Sequence, residues 1–299
     1  MVMAEYIVSF DEEKRLRAIL AERQDADGQR LRRYLDLPDL SRATDSPLRA
    51  IVEQVTNLSL FRNFDLITIP EIVSTQVSFD LFNFAPDHPA RSRSDTYYVD
   101  DDHILRTHDT VMWYYYLNHL EIKKKIAAGQ PLGVLCYGKV YRKDEIDRRH
   151  MNVFHQMGGL YLTPDSQQTF GLDDLKNILS DITRYLFSPE VDFHFTTETF
   201  PYTHPSLEIE VKKNDQWIEI LGGGIPRKEV LANFGVNNYN GWAFGFGLER
   251  LAILSLNLPD IRLLWSNDSR VKKQLKLGRQ YEEVSKYPPV VRDISFIVT

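Results

Sequence analysis

The chain has 299 residues, 43% of them hydrophobic and 26% charged, and its formal net charge is −6. This length and apolar content predict one large domain with small appendages, and the acidic balance excludes a protein wrapped in nucleic acid. The single cysteine, Cys136, excludes an intrachain disulfide and a cysteine zinc cluster. No apolar run is long enough to span a membrane, and the acidic cluster at residues 11–13 disfavours a secretory signal or transit peptide, so we expect a cytoplasmic protein.

The first predicted elements are one or two short charged helices over residues 11–35, broken at residues 25–28. Residues 38–47 predict a linker, so we expect a helical N-terminal appendage over residues 1–45. Three arginines in this segment fit a solvated helix face better than a nucleic-acid contact; they are Arg30, Arg32 and Arg33.

The next stretch mixes helical and extended patterns. Residues 47–62 predict a helix, and residues 66–70 predict an extended segment. Residues 112–128 predict a single helix that ends at Gly129, because glycine is favoured just past a helix C-terminus.

Residues 133–142 and 154–162 alternate in the way that predicts two strands, joined by a charged surface loop. Antiparallel pairing would put Arg142, Phe154 and Gln156 on one side of the sheet. A guanidinium suits phosphate oxygens, an aromatic ring suits a purine, and an amide suits a polar substrate group. Taken alone, the pattern fits a charged hairpin with an aromatic core residue better than it fits a binding site.

Apolar residues recur at helical spacing over residues 172–186, which is typical of a helix packed on a core. Residues 191–195 and 207–211 alternate as strands, and a turn at residues 214–215 leads to a further strand at residues 217–221. Strands with segregated helices predict an α+β fold built on an antiparallel sheet.

The last informative segment is Gly245-Phe246-Gly247 followed by an apolar helical run that contains Arg250. Glycines allow close approach of a ligand to the backbone. An arginine in the first turn of a helix is disfavoured by the helix dipole, so it needs a compensating partner, for which a phosphate is a candidate. The alternative is a tight strand-to-helix turn with a surface arginine.

Together, the hairpin and the glycine segment resemble the second and third signature motifs of class II aminoacyl-tRNA synthetases. More narrowly, the chain is similar to the catalytic module of phenylalanyl-tRNA synthetase in its single-chain, organellar-like form. This resemblance implies a class II catalytic domain over residues 46–280 and the start of a ferredoxin-like anticodon-binding domain over residues 281–299. Its further markers are residues 87–91 (Asp-His-Pro-Ala-Arg), 105–108 (Leu-Arg-Thr-His), 200–206 (Phe-Pro-Tyr-Thr-His-Pro-Ser), 217–224 (Trp-Ile-Glu-Ile-Leu-Gly-Gly-Gly) and 286–296 (Lys-Tyr-Pro-Pro-Val-Val-Arg-Asp-Ile-Ser-Phe).

The resemblance implies an ATP site with two catalytic arginines. Arg142 matches the arginine that binds the α-phosphate, Phe154 the ring that stacks on adenine, and Arg250 the arginine that holds the γ-phosphate. Glu219, beside the glycines at a strand end, is implied as the carboxylate on the Mg²⁺ side. The other residues implied for ATP are Asp144, His150, Gly245 and Gly247.

The resemblance also implies an amino-acid pocket. His108 and Gln156 match residues around the polar head of the amino acid, and Thr110 supplies a hydroxyl there. Phe200 and Tyr202 match two phenylalanines that meet the substrate ring edge-to-face. The small residues of this pocket are Gly222 and Ala243, of which Ala243 matches the end of the side-chain pocket.

Several positions depart from the family pattern. The family usually reads His-Thr-Ser where this chain has His108-Asp109-Thr110, a glutamine where Trp113 stands and a glutamate where Gly158 stands. The changes at Trp113 and Gly158 remove polar groups expected near the ammonium of the amino acid. Tyr202 adds a hydroxyl to an apolar wall, which is costly without a partner. A frequent cysteine is replaced by Gly223. These changes affect the choice of amino acid more than ATP binding.

The implied activity is ATP-dependent activation of phenylalanine, or another aromatic amino acid, and its transfer to tRNA, with ATP and Mg²⁺. The alternative is a paralogue that binds or adenylates an amino acid without charging tRNA, suggested by Trp113, Gly158 and the short anticodon segment. No membrane partner is expected. Single-chain relatives work as monomers and other class II enzymes pair, so the oligomeric state stays open.

Overall fold

The computed structural model describes residues 4–285 and 287. Within them the strands are, in chain order, β1 (Glu5–Ile7), β2 (Asp65–Thr68), β3 (Ile72–Ser74), β4 (His103–Leu105), β5 (Leu132–Tyr141), β6 (Val153–Pro164), β7 (Phe193–Glu198), β8 (Thr203–Lys213), β9 (Gln216–Pro226) and β10 (Tyr239–Gly247). The α-helices of the same residues are α1 (Asp11–Glu22), α2 (Ala26–Leu35), α3 (Pro47–Thr56), α4 (Thr75–Ser78), α5 (Met112–Leu117), α6 (Leu120–Ala127), α7 (Leu172–Leu186), α8 (Lys228–Asn233), α9 (Leu248–Leu256) and α10 (Ser269–Lys272).

The main sheet contains eight of these strands in the order β1-β2-β5-β6-β10-β9-β8-β7, and β3 pairs with β4 in a small separate sheet. From β5 to β7 every neighbouring pair is antiparallel. The edge formed by β1, β2 and β5 is parallel, which was not predicted. Strands of three and four residues are too short to show a clear alternating pattern. The predicted α+β fold with a mostly antiparallel sheet is confirmed.

Helices cover both faces of this sheet. One face packs against α3, α7 and α9 in an apolar cluster that includes Leu135, Met157 and Phe246. The other face packs against α5 and α8 in a cluster that includes Leu160 and Ala243. Because side chains alternate along a strand, neighbouring residues of β5, β6 and β10 serve the two layers in turn.

The predicted hairpin is present as β5 and β6, paired antiparallel with Gly138 opposite Gln156 and Val140 opposite Phe154. Arg142 is the first residue after β5, and its Nε donates a hydrogen bond to the carbonyl of Thr107 at 3.0 Å. This contact fixes the guanidinium at the end of the strand that carries it.

Two predicted helices differ from the structure. The single helix expected over residues 112–128 is two helices, α5 and α6, because the imidazole of His119 accepts the N–H of Glu121 and starts α6 afresh. The helix expected over residues 47–62 ends at Thr56 and is followed by a 3₁₀ turn over Ser59–Phe61. The predicted break between α1 and α2 is confirmed, since Asp25 caps α2 by accepting from the N–H of Gly28.

The segment predicted as a linker, residues 38–47, contacts the sheet through residues 39–41, and Arg42, Thr44 and Asp45 are exposed. Ser41 is fully buried, and the carboxylate of Asp39 lies 3.3 Å from the buried imidazole of His155 on β6. Lys139 on β5 donates to the carbonyls of Leu35 and Leu37 at 2.8 and 2.7 Å. The backbone N–H of Leu40 donates to Nε2 of His155 at 2.9 Å, so residues 35–40 satisfy buried polar groups of the sheet.

The arginine-rich face of α2 is only partly solvated. Arg32 donates to the carbonyls of Leu20, Ala21 and Arg23, which close the C-terminal end of α1. Arg30 forms an exposed ion pair with Asp27. These contacts give Arg32 a structural role in joining α1 to α2.

The predicted turn between β8 and β9 is confirmed, with positive φ at Asn214 (49°) and Asp215 (59°). The expected start of an anticodon-binding domain relies on residues 286–296, and residues 286 and 288–299 lie outside the described part of the chain. In the part that is described, no helix is both long and apolar enough to cross a membrane.

Candidate active site

A row of glycines crosses the centre of the main sheet. Gly158 on β6 lies opposite Gly245 on β10, and Gly245 lies opposite Gly222 on β9. Glu208 on β8 continues the row, opposite Gly222. Directly opposed residues point to the same face, so the missing side chains leave a trough over three strands. We call these three glycines the glycine row.

A cavity of about 880 Å³, including its open mouth, lies over the glycine row. Every residue predicted to bind the amino acid lines this cavity: His108, Thr110, Gln156, Phe200, Tyr202, Gly222 and Ala243. The cavity therefore brings together segments that are more than 130 residues apart in the chain.

A second cavity adjoins the first and contains the loop residues predicted for ATP. It is lined by Asp144, His150 and Phe154 from the hairpin. The residues that line both cavities are Arg142, Gln156, Glu219, Gly247 and Arg250. Gly245 lines only the first. The two arginines singled out in the sequence thus face one continuous groove.

Arg142 lies where the two cavities meet. Its guanidinium carbon is 5.3 Å from the ring centroid of Phe154, within the range of a cation–π contact. The groove therefore has a charged fork and an aromatic face side by side at this point.

Arg250 already has a compensating partner in the structure. Its Nη1 lies 3.0 Å from the carboxylate of Glu219 and 3.0 Å from the carbonyl of the same residue. This contact offsets the unfavourable position of a cation in the first turn of α9. The expected phosphate is therefore not needed to explain the position of Arg250.

Glu249, beside Arg250, points the other way and fixes α9 to the hairpin. Its buried carboxylate accepts the backbone N–H of His155 at 2.9 Å and lies 2.6 Å from Nδ1 of the same residue. The sequence analysis did not single out Glu249. The structure shows that it fixes the helix that carries Arg250.

Glu219 lies inside β9 and not at a strand end as predicted, next to a register shift between β8 and β9. A second carboxylate of the cavity, Glu208, was missed by the sequence analysis. Burial, and then the nearby charge of Glu219, raise the pKa of Glu208 to about 7. The alternation of residues 207–211 was the available signal, because it places Glu208 on the face opposite Leu207 and Ile209.

The ring end of the cavity is apolar. The rings of Phe200 and Tyr202 are parallel, with an interplanar angle of 7° and centroids 5.8 Å apart. Trp113 meets Tyr202 edge-to-face at 5.9 Å. Burial raises the pKa of the Tyr202 hydroxyl to about 12, with the Thr110 side chain acting in the opposite direction. The tryptophan thus extends the aromatic wall where the resemblance implied a polar group.

His108 is an uncharged polar group of this wall. It is only 8% exposed, and its ring stacks on Phe84 at 5.8 Å with an interplanar angle of 7°. Burial lowers the pKa of His108 to about 3, so the imidazole is neutral at physiological pH. Neither ring nitrogen has a hydrogen-bond partner among residues 4–285 and 287.

Asp109 is the site residue that the sequence analysis missed most completely. It is 6% exposed, its backbone N–H donates to Oε1 of Gln156 at 3.1 Å, and its Oδ2 lacks a hydrogen-bond partner within the described chain. A Cβ atom built on Gly158 would lie 2.3 Å from this Oδ2. Gly158 does remove the side chain expected at its own position. The Asp109 carboxylate, however, reaches the same place from a loop, so the site keeps an acidic group there. The paired departures at positions 109 and 158 were the available signal.

Residues 35–275 match the family described as "tRNA synthetases class II core domain (F)". The chain belongs to this family. A class II core is also consistent with the mostly antiparallel sheet and with a site on one of its faces.

Three curated relatives of this class II core illustrate the match. The chain is 38% identical to "Phenylalanine--tRNA ligase, chloroplastic/mitochondrial" of Arabidopsis thaliana, over 76% of this chain and 53% of the relative. It is 33% identical to the mitochondrial phenylalanine--tRNA ligase of Mus musculus, over 79% and 58%. It is 33% identical to the phenylalanine--tRNA ligase alpha subunit of Caldicellulosiruptor saccharolyticus, over 77% and 68%. The chain thus spans a little over half the length of the two organellar relatives.

A solved structure shares the class II fold at low sequence identity. Pyrrolysyl-tRNA synthetase from Desulfitobacterium hafniense superimposes with a TM-score of 0.55 at 19% identity, over 81% of this chain and 80% of that chain. At this identity the likeness concerns the fold alone.

Proposed function

We propose that this class II core activates phenylalanine with ATP and transfers it to tRNA. The observation that carries the proposal is the meeting of Arg142 and Arg250 along two adjoining cavities, one aromatic and one beside Phe154. The names of the curated relatives support phenylalanine as the amino acid.

In the proposed reaction the carboxylate of the amino acid attacks the α-phosphorus of ATP in line. A bond forms between a carboxylate oxygen and the α-phosphorus, and the bond from that phosphorus to the bridging oxygen breaks, which releases pyrophosphate. No side chain needs to form a covalent bond, so the rate depends on positioning and on stabilisation of charge.

We assign Arg142 to the α-phosphate and Arg250 to the γ-phosphate, with Phe154 stacked on adenine. Asp144 and His150 line the same part of the groove and complete the nucleotide site. Gly245 and Gly247 let the bent triphosphate lie against the backbone; a Cβ at Gly247 would have no neighbouring atom within 4 Å. For Arg250 to reach a phosphate, its contact with Glu219 must loosen or be shared.

We assign the aromatic end of the cavity to the phenylalanine side chain. Phe200 and Tyr202 would flank the ring, and Ala243 with Gly222 would leave the space that it occupies. His108, Thr110 and Gln156 would face the polar head. A bulky residue in place of Ala243 is expected to exclude phenylalanine from this pocket.

Mg²⁺ fits the carboxylates of this groove. Magnesium is usually held by one or two carboxylates together with substrate phosphates and water. Glu219 and Glu208 are the acidic pair at the phosphate end, and the raised pKa of Glu208 reflects the crowding of negative charge there. Within residues 4–285 and 287 no group of three or more metal-binding side chains forms a cage. When bound, the ion would neutralise charge on the leaving pyrophosphate.

The broader setting is part of the same proposal. We assign residues 46–280 to the catalytic domain, residues 1–45 to an N-terminal helical segment and residues 281–299 to the start of an anticodon-binding domain. We also propose a cytoplasmic location, although two relatives carry organellar names. Transfer of the amino acid to tRNA is supported by the name of those relatives, phenylalanine--tRNA ligase.

Pyrophosphate exchange tests the activation step. The wild type should exchange pyrophosphate into ATP with phenylalanine, and Arg142→Ala should lower the rate by about 10²-fold or more, because it removes a charge aimed at the reacting phosphate. The matched control is Arg148→Ala, which alters an exposed arginine of the same hairpin loop. Normal exchange in Arg142→Ala would refute the assignment.

A tyrosine arm and a tRNA arm complete the test. If exchange is faster with tyrosine than with phenylalanine, tyrosine is the preferred substrate. Tyr202 would then be the first residue to mutate, because its hydroxyl lies in the pocket wall. Exchange with phenylalanine but no formation of phenylalanyl-tRNA would favour the paralogue that does not charge tRNA.

A further inference from the structure

The buried carboxylate of Asp109 has no role in the catalytic steps described above. It is 94% buried, and its Oδ2 lacks a hydrogen-bond partner in residues 4–285 and 287. No lysine or arginine of that part of the chain forms an ion pair with it, although Arg106 and Arg142 act on it through their charges. A buried carboxylate without a partner is costly, so it calls for an explanation.

The position of Asp109 indicates what it contacts. It lines the amino-acid cavity beside His108, Trp113 and Tyr202, at the aromatic end. Glu208 and Glu219 also line this cavity, but Glu219 pairs with Arg250 at the phosphate end. Asp109 is thus the acidic side chain that lies between the ring pocket and the α-phosphate arginine.

Gly158 and Gly245 make room for this carboxylate. A Cβ on Gly158 would lie 2.3 Å from Oδ2, and a Cβ on Gly245 would lie 3.5 Å from Oδ1. The backbone N–H of Asp109 is held by Gln156, which fixes the start of the 3₁₀ turn that carries the side chain. The carboxylate is therefore held over the glycine row by its loop and opposed by no side chain from the sheet.

We propose that the Asp109 carboxylate binds the primary ammonium group of the amino acid substrate, through the space that Gly158 leaves open. This inference rests on the proposed function for the identity of the ligand. An ammonium supplies a charge and three N–H donors to an acceptor that lacks them. In an amino acid the ammonium lies next to the substrate's own carboxylate, which must face the α-phosphate. The position of Asp109 between the ring pocket and Arg142 suits this arrangement.

The experiment compares two ligands that differ in one amino group. L-phenylalaninol carries the ammonium and the ring, and 3-phenylpropan-1-ol carries the ring without the ammonium; neither can form an adenylate. Their dissociation constants are measured by calorimetry near pH 8 with the wild type, Asp109→Asn and Asp109→Thr. The control is Glu53→Gln, which removes an exposed carboxylate of α3 that lines neither cavity.

The wild type and Glu53→Gln should bind the amine about 10- to 100-fold more tightly than the neutral alcohol, as expected for a charge-assisted hydrogen bond. Both Asp109 variants should lose that preference. They should unfold at the same or a higher temperature than the wild type, since they remove an unpaired buried charge. Thermal unfolding therefore separates loss of the ligand contact from loss of the fold.

An unchanged preference in a folded Asp109 variant would overturn the inference, and so would a wild type with no preference. The same conclusion would follow if Glu53→Gln lost the preference as fully as Asp109→Asn. Failure of the proposed function is distinguishable, because pyrophosphate exchange is measured separately. If the wild type prefers the amine but shows no exchange, the ammonium contact is supported and the proposed activation of phenylalanine is refuted.

Discussion

His108 and Asp109 are adjacent in sequence and buried at one end of the same cavity. Their pKa values are shifted in opposite directions. Burial lowers the pKa of His108 to about 3 and raises the pKa of Asp109 to about 7. In both cases a low-polarity environment disfavours the charged form. His108 is therefore neutral over the physiological range, whereas Asp109 changes charge within it.

This difference predicts a pH dependence for the amino acid. Asp109 loses its charge as the pH falls through about 7, so kcat/KM for phenylalanine should fall below that pH. Asp109 is surrounded by the charges of Arg106 and Arg142 and by the buried thiol of Cys136 and hydroxyl of Tyr202. The thiol and hydroxyl have pKa values raised to about 12, so neither titrates near neutrality. The measurement is the pH profile of pyrophosphate exchange at subsaturating phenylalanine.

Glu208 provides the control for this profile, because its pKa is also raised to about 7. Asp109→Asn should flatten the pH dependence of kcat/KM for phenylalanine. Glu208→Gln alters a proposed Mg²⁺ carboxylate, so it should lower the rate of exchange but keep the shape of that pH dependence. A profile that is lost in Glu208→Gln and retained in Asp109→Asn would assign the titration to the other carboxylate.

At the scale of elements, α9 is positioned by the hairpin and not only by its own apolar face. Glu249 accepts two hydrogen-bonding groups of His155, which lies on β6 between Phe154 and Gln156. The helix with Arg250 and the strand with the predicted adenine and amino-acid residues are thus joined by one buried contact. A shift of one element would move both ends of the groove.

Glu249→Ala should lower the free energy of unfolding by about 3–5 kcal/mol, because it leaves a buried backbone N–H and an imidazole without their partner. Urea unfolding followed by fluorescence measures the change. The control is Glu53→Ala on α3, whose carboxylate is 56% exposed and paired with Arg49; this change should cost at most about 1 kcal/mol. Equal losses of unfolding free energy in the two variants would show that the buried contact stabilises the fold no more than an exposed ion pair.

The sequence predicted some elements well and others poorly, for physical reasons. The hairpin and α7 have long periodic patterns, and both are present close to their predicted bounds. The break between α5 and α6 depends on one capping histidine in an otherwise helical pattern. The edge strand β1 has three residues and owes its existence to pairing with β2.

For the whole molecule, the N-terminal segment packs as part of the catalytic body. α1 and α2 share an apolar cluster with Tyr141 of β5 and Val153 of β6. Lys139, 3% exposed, depends on carbonyls of this segment for two hydrogen bonds. The segment therefore supports the back of the hairpin whose other end reaches the groove.

Limited proteolysis of the full chain tests this packing. Cleavage at residues 39–41 should be slow compared with cleavage in the hairpin loop at residues 145–150, since the first are buried or half-buried and the second are all exposed. Mass spectrometry of early fragments identifies the first cuts. Rapid release of an intact fragment starting near residue 46 would show a separable appendage.

The assembly of the site is what the sequence could not provide in full. The residues on strands and in motifs were found, because each motif has a local pattern. The place of Asp109 over Gly158 depends on how a loop after β4 folds across β6, nearly fifty residues further along the chain. The contact of Arg250 with Glu219 likewise depends on the pairing of β9 and β10. Both are properties of the tertiary structure.

The glycine row has a consequence for how this chain tolerates change. At Gly158 a methyl group would meet the Asp109 carboxylate at 2.3 Å and the Phe244 carbonyl at 2.8 Å, so alanine there disturbs the scaffold itself. At Gly245 the nearest atom would be 3.5 Å away, so alanine keeps the scaffold and narrows the trough. A saturation library scored for both abundance and growth should therefore show intolerant positions along the glycine row. Substitutions at Gly158 should lower abundance, and substitutions at Gly245 should lower growth at normal abundance.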